Sequence, residues 1–494
     1  MYLNISVIGA GIGGLASAIR QAAAGHRVTV YEQAAGPGGK MGQLQWNEYR
    51  WDAGPSLFTM PELLEEIYAL AGEKMEDHIE YERLEIITKY FYGDGTILNA
   101  YGNPERFVEE AAKKTGEKAS RIRRFLRKAR VMYELTQDVF IFSTFNSIRT
   151  FLSARFLRSA LQIYRLEVFS TMHGANRRRF RSRHLVQLFD RYATYNGSNP
   201  YKAPGTLNLI SHLEHNLGAY FPRKGIHSLA EELFALAVRL GVRFEFNTRV
   251  ERVLLDGRKT RGVLVHGEEK DADLVISDVD IYFLYRDLLP DLTFPEKYFR
   301  HERSTSAMIF YWAMDRQFEM LELHNLFFSD DYAGEFRHLF ETKTLTDDPT
   351  VYLFISSKMV SGDAPENGEN WFVMINVPED TGQDWDAAVD AARENIIARI
   401  NRILDTDIRP HILHEKVRDP RNIEKETFSY RGSLYGNSSN SSLAAFNRHP
   451  NFRRDIDGLY FVGGSVHPGG GIPLCLASAK IVDERIRKNK KAIS

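Results

Sequence analysis

Val7-Ile8-Gly9-Ala10-Gly11-Ile12-Gly13-Gly14, close to the start of the chain, decides how the rest is read. The apolar run Ile5 to Ile8 reads as a buried strand, and the Ala-rich segment Leu15 to Ala24 reads as a helix. Between them Gly9, Gly11 and Gly14 fall in the G-x-G-x-x-G register. In that place each glycine has a mechanical reason: Gly9 permits the tight turn, Gly11 lets backbone approach a pyrophosphate, and Gly14 lets helix and strand pack closely. The helix N-terminus offers unpaired N–H groups and positive dipole to the phosphates. A second strand, Arg27 to Tyr31, ends in Glu32. An acid about 20 residues past the fingerprint accepts hydrogen bonds from an adenosine ribose, which favours FAD or NAD over NADP.

A second glycine-dense stretch closes the chain, running from Leu459 through Gly463-Gly464-Ser465-Val466-His467-Pro468-Gly469-Gly470-Gly471 to Ile472-Pro473. Both ends are expected to grip one long cofactor.

The 494 residues are ample for two or three domains. A net charge of −1 gives no global case for nucleic acid, and no apolar run approaches the roughly 18–20 residues of a spanning helix. The N-terminus enters its first strand almost at once, so no signal peptide is expected. The single cysteine, Cys475, forms no internal disulfide, and cytoplasmic residence is the simpler expectation. No His/Cys/Asp/Glu cluster has metal spacing, and no nucleophile elbow is present.

Three stretches with strand chemistry, 4–35, 242–277 and 458–462, are expected to share one sheet although far apart in sequence. Val250 to Ser277 reads as a meander with an Asp256-Gly257 turn, and Leu229 to Leu240 as a helix with Leu229, Leu233, Leu236 and Leu240 on one face. Ala307 to Met314, Thr350 to Ser356 and Trp371 to Val377 predict a second, mostly antiparallel sheet, and Ala387 to Leu404 an amphipathic helix. The fold class is therefore mixed α/β, with a Rossmann-like nucleotide domain in three pieces (1–85, 218–282, 420–494), a helical basic region (86–217) and a sheet-containing substrate part (283–419).

Charge is uneven. From Lys118 to Arg183 there are 16 Lys/Arg against three acids, a surplus of 13. Phe145, Ile148, Leu152 and Phe156 recur there at helical spacing among Arg149, Arg155, Arg158 and Arg165. Two readings stand equal: an interfacial helix facing anionic lipid, and a solvated face whose apolar stripe packs on the body.

Gly36-Pro37-Gly38-Gly39-Lys40 and Asp52-Ala53-Gly54-Pro55-Ser56-Leu57, taken with the first fingerprint, resemble the flavin-dependent amine oxidase and phytoene desaturase superfamily. The resemblance implies that Gly38, Gly39 and Lys40, then Asp52, Gly54, Pro55, Ser56 and Leu57, line FAD, with Lys40 bonded to the pyrophosphate. It also implies that Gly463 and Gly464 approach the ribityl chain. Gly471, Ile472 and Pro473 would open a helix aimed at the flavin, favouring negative charge on the reduced ring. A second clamp discriminates FAD from NAD. His467-Pro468-Gly469-x-Gly471-Ile472-Pro473 resembles the bacterial carotenoid desaturases, and Phe221-Pro222-Arg223-Lys224-Gly225 resembles their F-P-x-G-G segment. Gly463-Gly464-Ser465-Val466-His467-Pro468 and Phe189 to Tyr195 resemble the hydroxycarotenoid 3,4-desaturases in particular. Val250 would contact the adenine. Lys224 replaces a common glycine, and Asp278, also expected at the cofactor, stands where members often carry Asn.

The resemblance implies an FAD-dependent carotenoid desaturase acting at C3–C4 of a 1-hydroxylated acyclic end, such as that of 1'-hydroxy-γ-carotene, with phytoene as the alternative substrate. The partners expected are the hydrophobic carotenoid and the inner face of the cytoplasmic membrane, with no nucleic acid and no metal. No catalytic acid or base is assigned: His467 is expected to order its loop, and Cys475 to pack. A flavin-free binding protein of the GDP-dissociation-inhibitor type is the rival class, opposed by the intact glycines and Glu32. A peripheral amine oxidase is the other enzyme alternative.

Overall fold

The computed structural model describes residues 2–137, 166–441 and 448–491. The Phe145 to Phe156 stripe lies outside the described residues. A five-stranded parallel sheet runs in the order Leu459–Phe461, Leu274–Ser277, Asn4–Ile8, Arg27–Tyr31, Arg243–Glu245. All three separated stretches contribute to it, as expected. Val7 lies opposite Ile276 on one side and Val30 on the other; Ile5, Val7, Val28 and Val30 share a core with the helices, while Ile8, Tyr31 and Val275 share one with Val253 and Val263.

The helix Ile12–Ala23 follows the first strand and is buried along nearly its whole length, packed between the helices His227–Arg239 and Ile472–Lys491. The former begins two residues before the expected Leu229, because the Asp52 carboxylate reaches its first N–H groups from a distant hairpin. Val250–Asp256, Lys259–Val265 and Glu268–Asp271 form the expected antiparallel meander, with Gly257 at positive φ in the turn. Its last segment, Leu274–Ser277, crosses into the parallel sheet.

A seven-stranded sheet has the order Ile412–Arg418, Ser306–Met314, Glu369–Val377, Val351–Ile355, His324–Phe327, Ile86–Phe91, Ile97–Tyr101. It is antiparallel except where His324–Phe327 runs beside Ile86–Phe91. The last two strands come from the segment that the sequence reading gave to the helical region. Alternation along each strand divides the faces. Met308, Phe310, Trp312, Leu353, Val373 and Ile375 pack on the helix Trp385–Leu404 through Ile396 and Ile400. Ile309, Tyr311, Phe354 and Phe372 face the opposite way and join the core of the nucleotide unit, with Tyr352 and Met374 half-buried against it. The described helices Pro104–Thr115, Ala119–Thr136 and Arg183–Asp190 pack a third cluster around Phe107, Phe125 and Phe189.

Candidate functional site

The strand ends and helix N-termini of the parallel sheet open into one cleft of about 850 Å³, within the range that encloses large cofactors. Both glycine-dense stretches reach it. Of the expected residues, Gly9, Gly11, Glu32, Gly38, Gly39, Lys40, Pro55, Val250, Asp278, Gly464, Gly471 and Ile472 line it. Gly14, Ser56, Leu57, Gly463 and Pro473 stand outside the lining.

The first turn is shaped by backbone proximity. Gly9 sits at φ +97°, and a Cβ on Gly14 would lie under 3.0 Å from the Gly9 carbonyl oxygen. Gly13, which the register leaves unassigned, is equally confined: a Cβ there would lie 2.9 Å from Gly463 N. The two glycine stretches thus meet backbone to backbone. The glycines themselves put no side chain over the N-terminus of Ile12–Ala23, and the carboxylate that reaches it is that of Asp278.

Charge at this N-terminus comes from two acids. Glu32 accepts from Ala10 N at 2.6 Å and Ala34 N at 2.8 Å, so its carboxylate braces the turn while lining the cleft. Asp278 accepts from Gly14 N at 2.9 Å. Burial pushes the Asp278 carboxyl up to about 7, with the Gly14 N–H and Lys40 opposing and Glu32 adding. Lys40 donates to the Leu434 carbonyl at 3.1 Å, and desolvation lowers its pKa, opposed most by Asp280. Asp280 also lines the cleft and was not singled out from sequence; its signal was a second acid, three residues past the end of Leu274–Ser277.

Asp52 has a different place from the one the resemblance implies. Its carboxylate is 2% exposed, accepts from Ile226 N and His227 N at 2.8 and 2.9 Å, and pairs with Arg50 at 2.9 Å. It caps the helix His227–Arg239 from across the unit. Removing it leaves Arg50 without one of its carboxylates and strands two N–H groups. Asp52→Ala is therefore expected to lower unfolding free energy by about 3–5 kcal/mol, read from denaturant titration; a change below about 1 kcal/mol would contradict this role.

Cys475 lines the cleft, and burial pushes its thiol up to about 12. It therefore stays a neutral thiol, in keeping with packing rather than tethering. His467 is buried, and its backbone is held by His449 O at 2.9 Å and Asn451 Nδ2 at 2.7 Å, so the residue sits in an ordered loop. Among the described residues no group of His, Cys, Asp or Glu is placed to hold a metal ion, and no helix is long and apolar enough to cross a membrane.

The first and last helices of the nucleotide sheet thus converge on one cleft, beside a large sheet-built second unit. The chain belongs to the family of flavin-containing amine oxidoreductases, whose model matches residues 12–486. It is 44% identical over 480 residues, covering 97% of this chain and 98% of the relative, to a 1-hydroxycarotenoid 3,4-desaturase of Flavobacterium sp. (strain P99-3). It is 31% identical over 553 residues to a phytoene desaturase of Cercospora nicotianae, covering 97% of this chain and 88% of that one. Among solved structures, an oxidoreductase from Methanosarcina mazei superposes with a TM-score of 0.64 at 16% identity, covering 98% of this chain and 100% of the other. Wild-type putrescine oxidase bound to putrescine superposes with a TM-score of 0.61 at 14% identity, covering 100% and 99%. Membership in this family replaces the flavin-free binding reading with an enzyme.

Proposed function

We propose that the chain is an FAD-dependent carotenoid desaturase that forms the C3–C4 double bond in a 1-hydroxylated acyclic end group such as that of 1'-hydroxy-γ-carotene. The observation that carries the reading is the 44% identity, sustained over nearly all of both chains, with a 1-hydroxycarotenoid 3,4-desaturase. In this reading the nucleotide part is built from 1–85, 218–282 and 420–494. Gly9, Gly11, Gly38, Gly39 and the helix at Ile12 take the pyrophosphate, Glu32 the ribose and Val250 the adenine. Gly464, Gly471 and Ile472 take the flavin end.

Bound FAD supplies the hydride acceptor. The chain's own work is alignment and dryness. The apolar sheet face at Ile309, Phe354, Phe372 and Met374 turns toward the nucleotide unit and offers a water-poor wall for a polyene. The polyene itself spreads the positive charge that develops as hydride leaves, and the second hydrogen departs as a proton.

The basic segment from Lys118 to Arg183 docks the enzyme on anionic lipid, where such substrates reside. Phe169, in this segment, is 89% exposed, as an interfacial anchor requires. Co-sedimentation with anionic vesicles should weaken as salt rises; binding indifferent to vesicle charge would contradict it.

The functional test uses two carotenoid-producing hosts, one accumulating phytoene and one accumulating 1-hydroxylated carotenes. New conjugated double bonds in the second host alone are expected. Desaturation in the phytoene host alone would move the assignment to phytoene.

A further inference from the structure

On the sheet face turned toward the nucleotide unit, Tyr311 and Asn370 spend their polar groups on the backbone of Ala53 and Arg50, whereas three side chains bond one another. Ser56 Oγ lies 2.6 Å from Tyr352 OH, and Tyr352 OH lies 2.8 Å from His324 Nδ1. Ser56 and Tyr352 are half-buried, whereas His324 is 1% exposed, stacked on Tyr352 and Phe354, and its Nε2 has no partner.

This chain has a direction. Burial, helped by Arg191, pulls the His324 pKa down to about 3, so the ring is neutral and carries one N–H. A proton on the unpartnered Nε2 would be an orphaned buried donor; on Nδ1 it is bonded to the Tyr352 oxygen. The tyrosine therefore accepts from His324, and of the hydroxyl hydrogens on Tyr352 and Ser56 one bridges the pair and the other is left to donate outward. Ser56 is next in sequence to Pro55, which lines the cofactor cleft.

We propose that Ser56 and Tyr352, with His324 behind them, hold the hydroxyl group of the substrate. The proposal rests on the functional reading above, and the substrate's chemistry fits it. The hydroxyl is on C1 and the bond oxidised is C3–C4, so C2 alone separates the gripped carbon from the reacting pair. A group that holds the hydroxyl must then sit at the edge of the cofactor cleft rather than at the far end of a tunnel, and Ser56, next to the cleft-lining Pro55, has that place. A seam serving only to pack sheet against cofactor is satisfied by phenylalanine, with no buried imidazole left short of a partner. Tyr352 and His324 are positioning residues here: they fix the end group so that the C3–C4 bond faces the acceptor. A site built to bond a hydroxyl also rejects the analogue that lacks it.

The test compares kcat/KM for 1'-hydroxy-γ-carotene and γ-carotene, both in the same vesicles, for flavin-loaded wild type, Tyr352→Phe and Ser56→Ala. Wild type is expected to prefer the hydroxylated compound by about 100-fold or more. Tyr352→Phe is expected to cut that preference about tenfold, as loss of one hydrogen bond does, chiefly through a raised KM for the hydroxylated substrate. A preference unchanged in both variants overturns the proposal, as does a preference lost only together with the bound flavin, which would make the pair a fold support. The wild-type measurements separate the two readings. Failure to turn over the hydroxylated compound removes the functional assignment, while equal turnover of both compounds keeps a desaturase and removes the hydroxyl grip.

Discussion

Gly14→Ala is expected to yield a colourless protein whose unfolding free energy is lower by about 3 kcal/mol or more. The added Cβ would lie under 3.0 Å from the Gly9 carbonyl oxygen. Neither partner can give way. Gly14 is in the first turn of a helix buried on nearly every side, and the Gly9 N–H is tied to the Tyr31 carbonyl at 2.8 Å. Relief must come from moving the helix off the strand, which carries the phosphate-facing N–H groups away from the cleft. Gly362→Ala is the matched control: a Cβ there meets nothing within 4 Å and its φ is ordinary, so stability should stay within about 0.5 kcal/mol of wild type. Wild-type flavin content in Gly14→Ala, measured by absorption after purification, would contradict the close approach on which the site depends.

FAD affinity is expected to fall as pH rises above about 7, and Asp278→Asn should abolish that dependence. The Asp278 carboxyl meets the N-terminus of Ile12–Ala23 where the proposed pyrophosphate goes; a Cβ on Gly11 would lie 2.5 Å from its Oδ2. Glu32, Lys40 and Cys475 are the other titratable groups coupled to it, and Asp280 faces the same lysine. Its pKa is raised to about 7, above the ordinary carboxylate range, so acid favours the neutral form in the folded protein. Bringing a second anion alongside raises it further. Binding therefore takes up a proton above neutrality, and the dissociation constant climbs toward about tenfold per pH unit there while staying level below. Stability of the flavin-free protein has the same sign: it declines as pH rises from the ordinary carboxylate range to about 7, then levels. Fluorescence titration of FAD on both sides of neutrality reads the effect, and equal slopes for wild type and variant would contradict it.

Local chemistry was legible in the sequence where strand, turn and helix are neighbours in the chain. Gly9, Gly11, Gly14 and Glu32 lie within 24 residues, and their spacing alone places a turn at the end of a strand. The sharing of one sheet by three distant stretches was legible too, because each pairs a short apolar run with turn glycines. Tertiary coupling was not. Asp52 was placed at the cofactor by resemblance of its motif, yet its carboxylate is spent on N–H groups 174 and 175 residues away. Gly13 escaped notice because its constraint is the backbone of Gly463. Ile86–Phe91 and Ile97–Tyr101 were missed as sheet partners because pairing with His324–Phe327 leaves no local mark. His324 carries no motif, and only the sheet register sets it behind Tyr352.

On the proposed reading the cleft holds FAD, and the hydride it accepts comes from a hydroxylated polyene. Anaerobic mixing of the FAD-loaded protein with 1'-hydroxy-γ-carotene tests it in one turnover. Bleaching of the flavin's visible band in step with a red shift of the carotenoid, in equal molar amounts, is expected. A flavin that stays oxidised while the substrate is bound, or a protein that takes up no FAD, would contradict it.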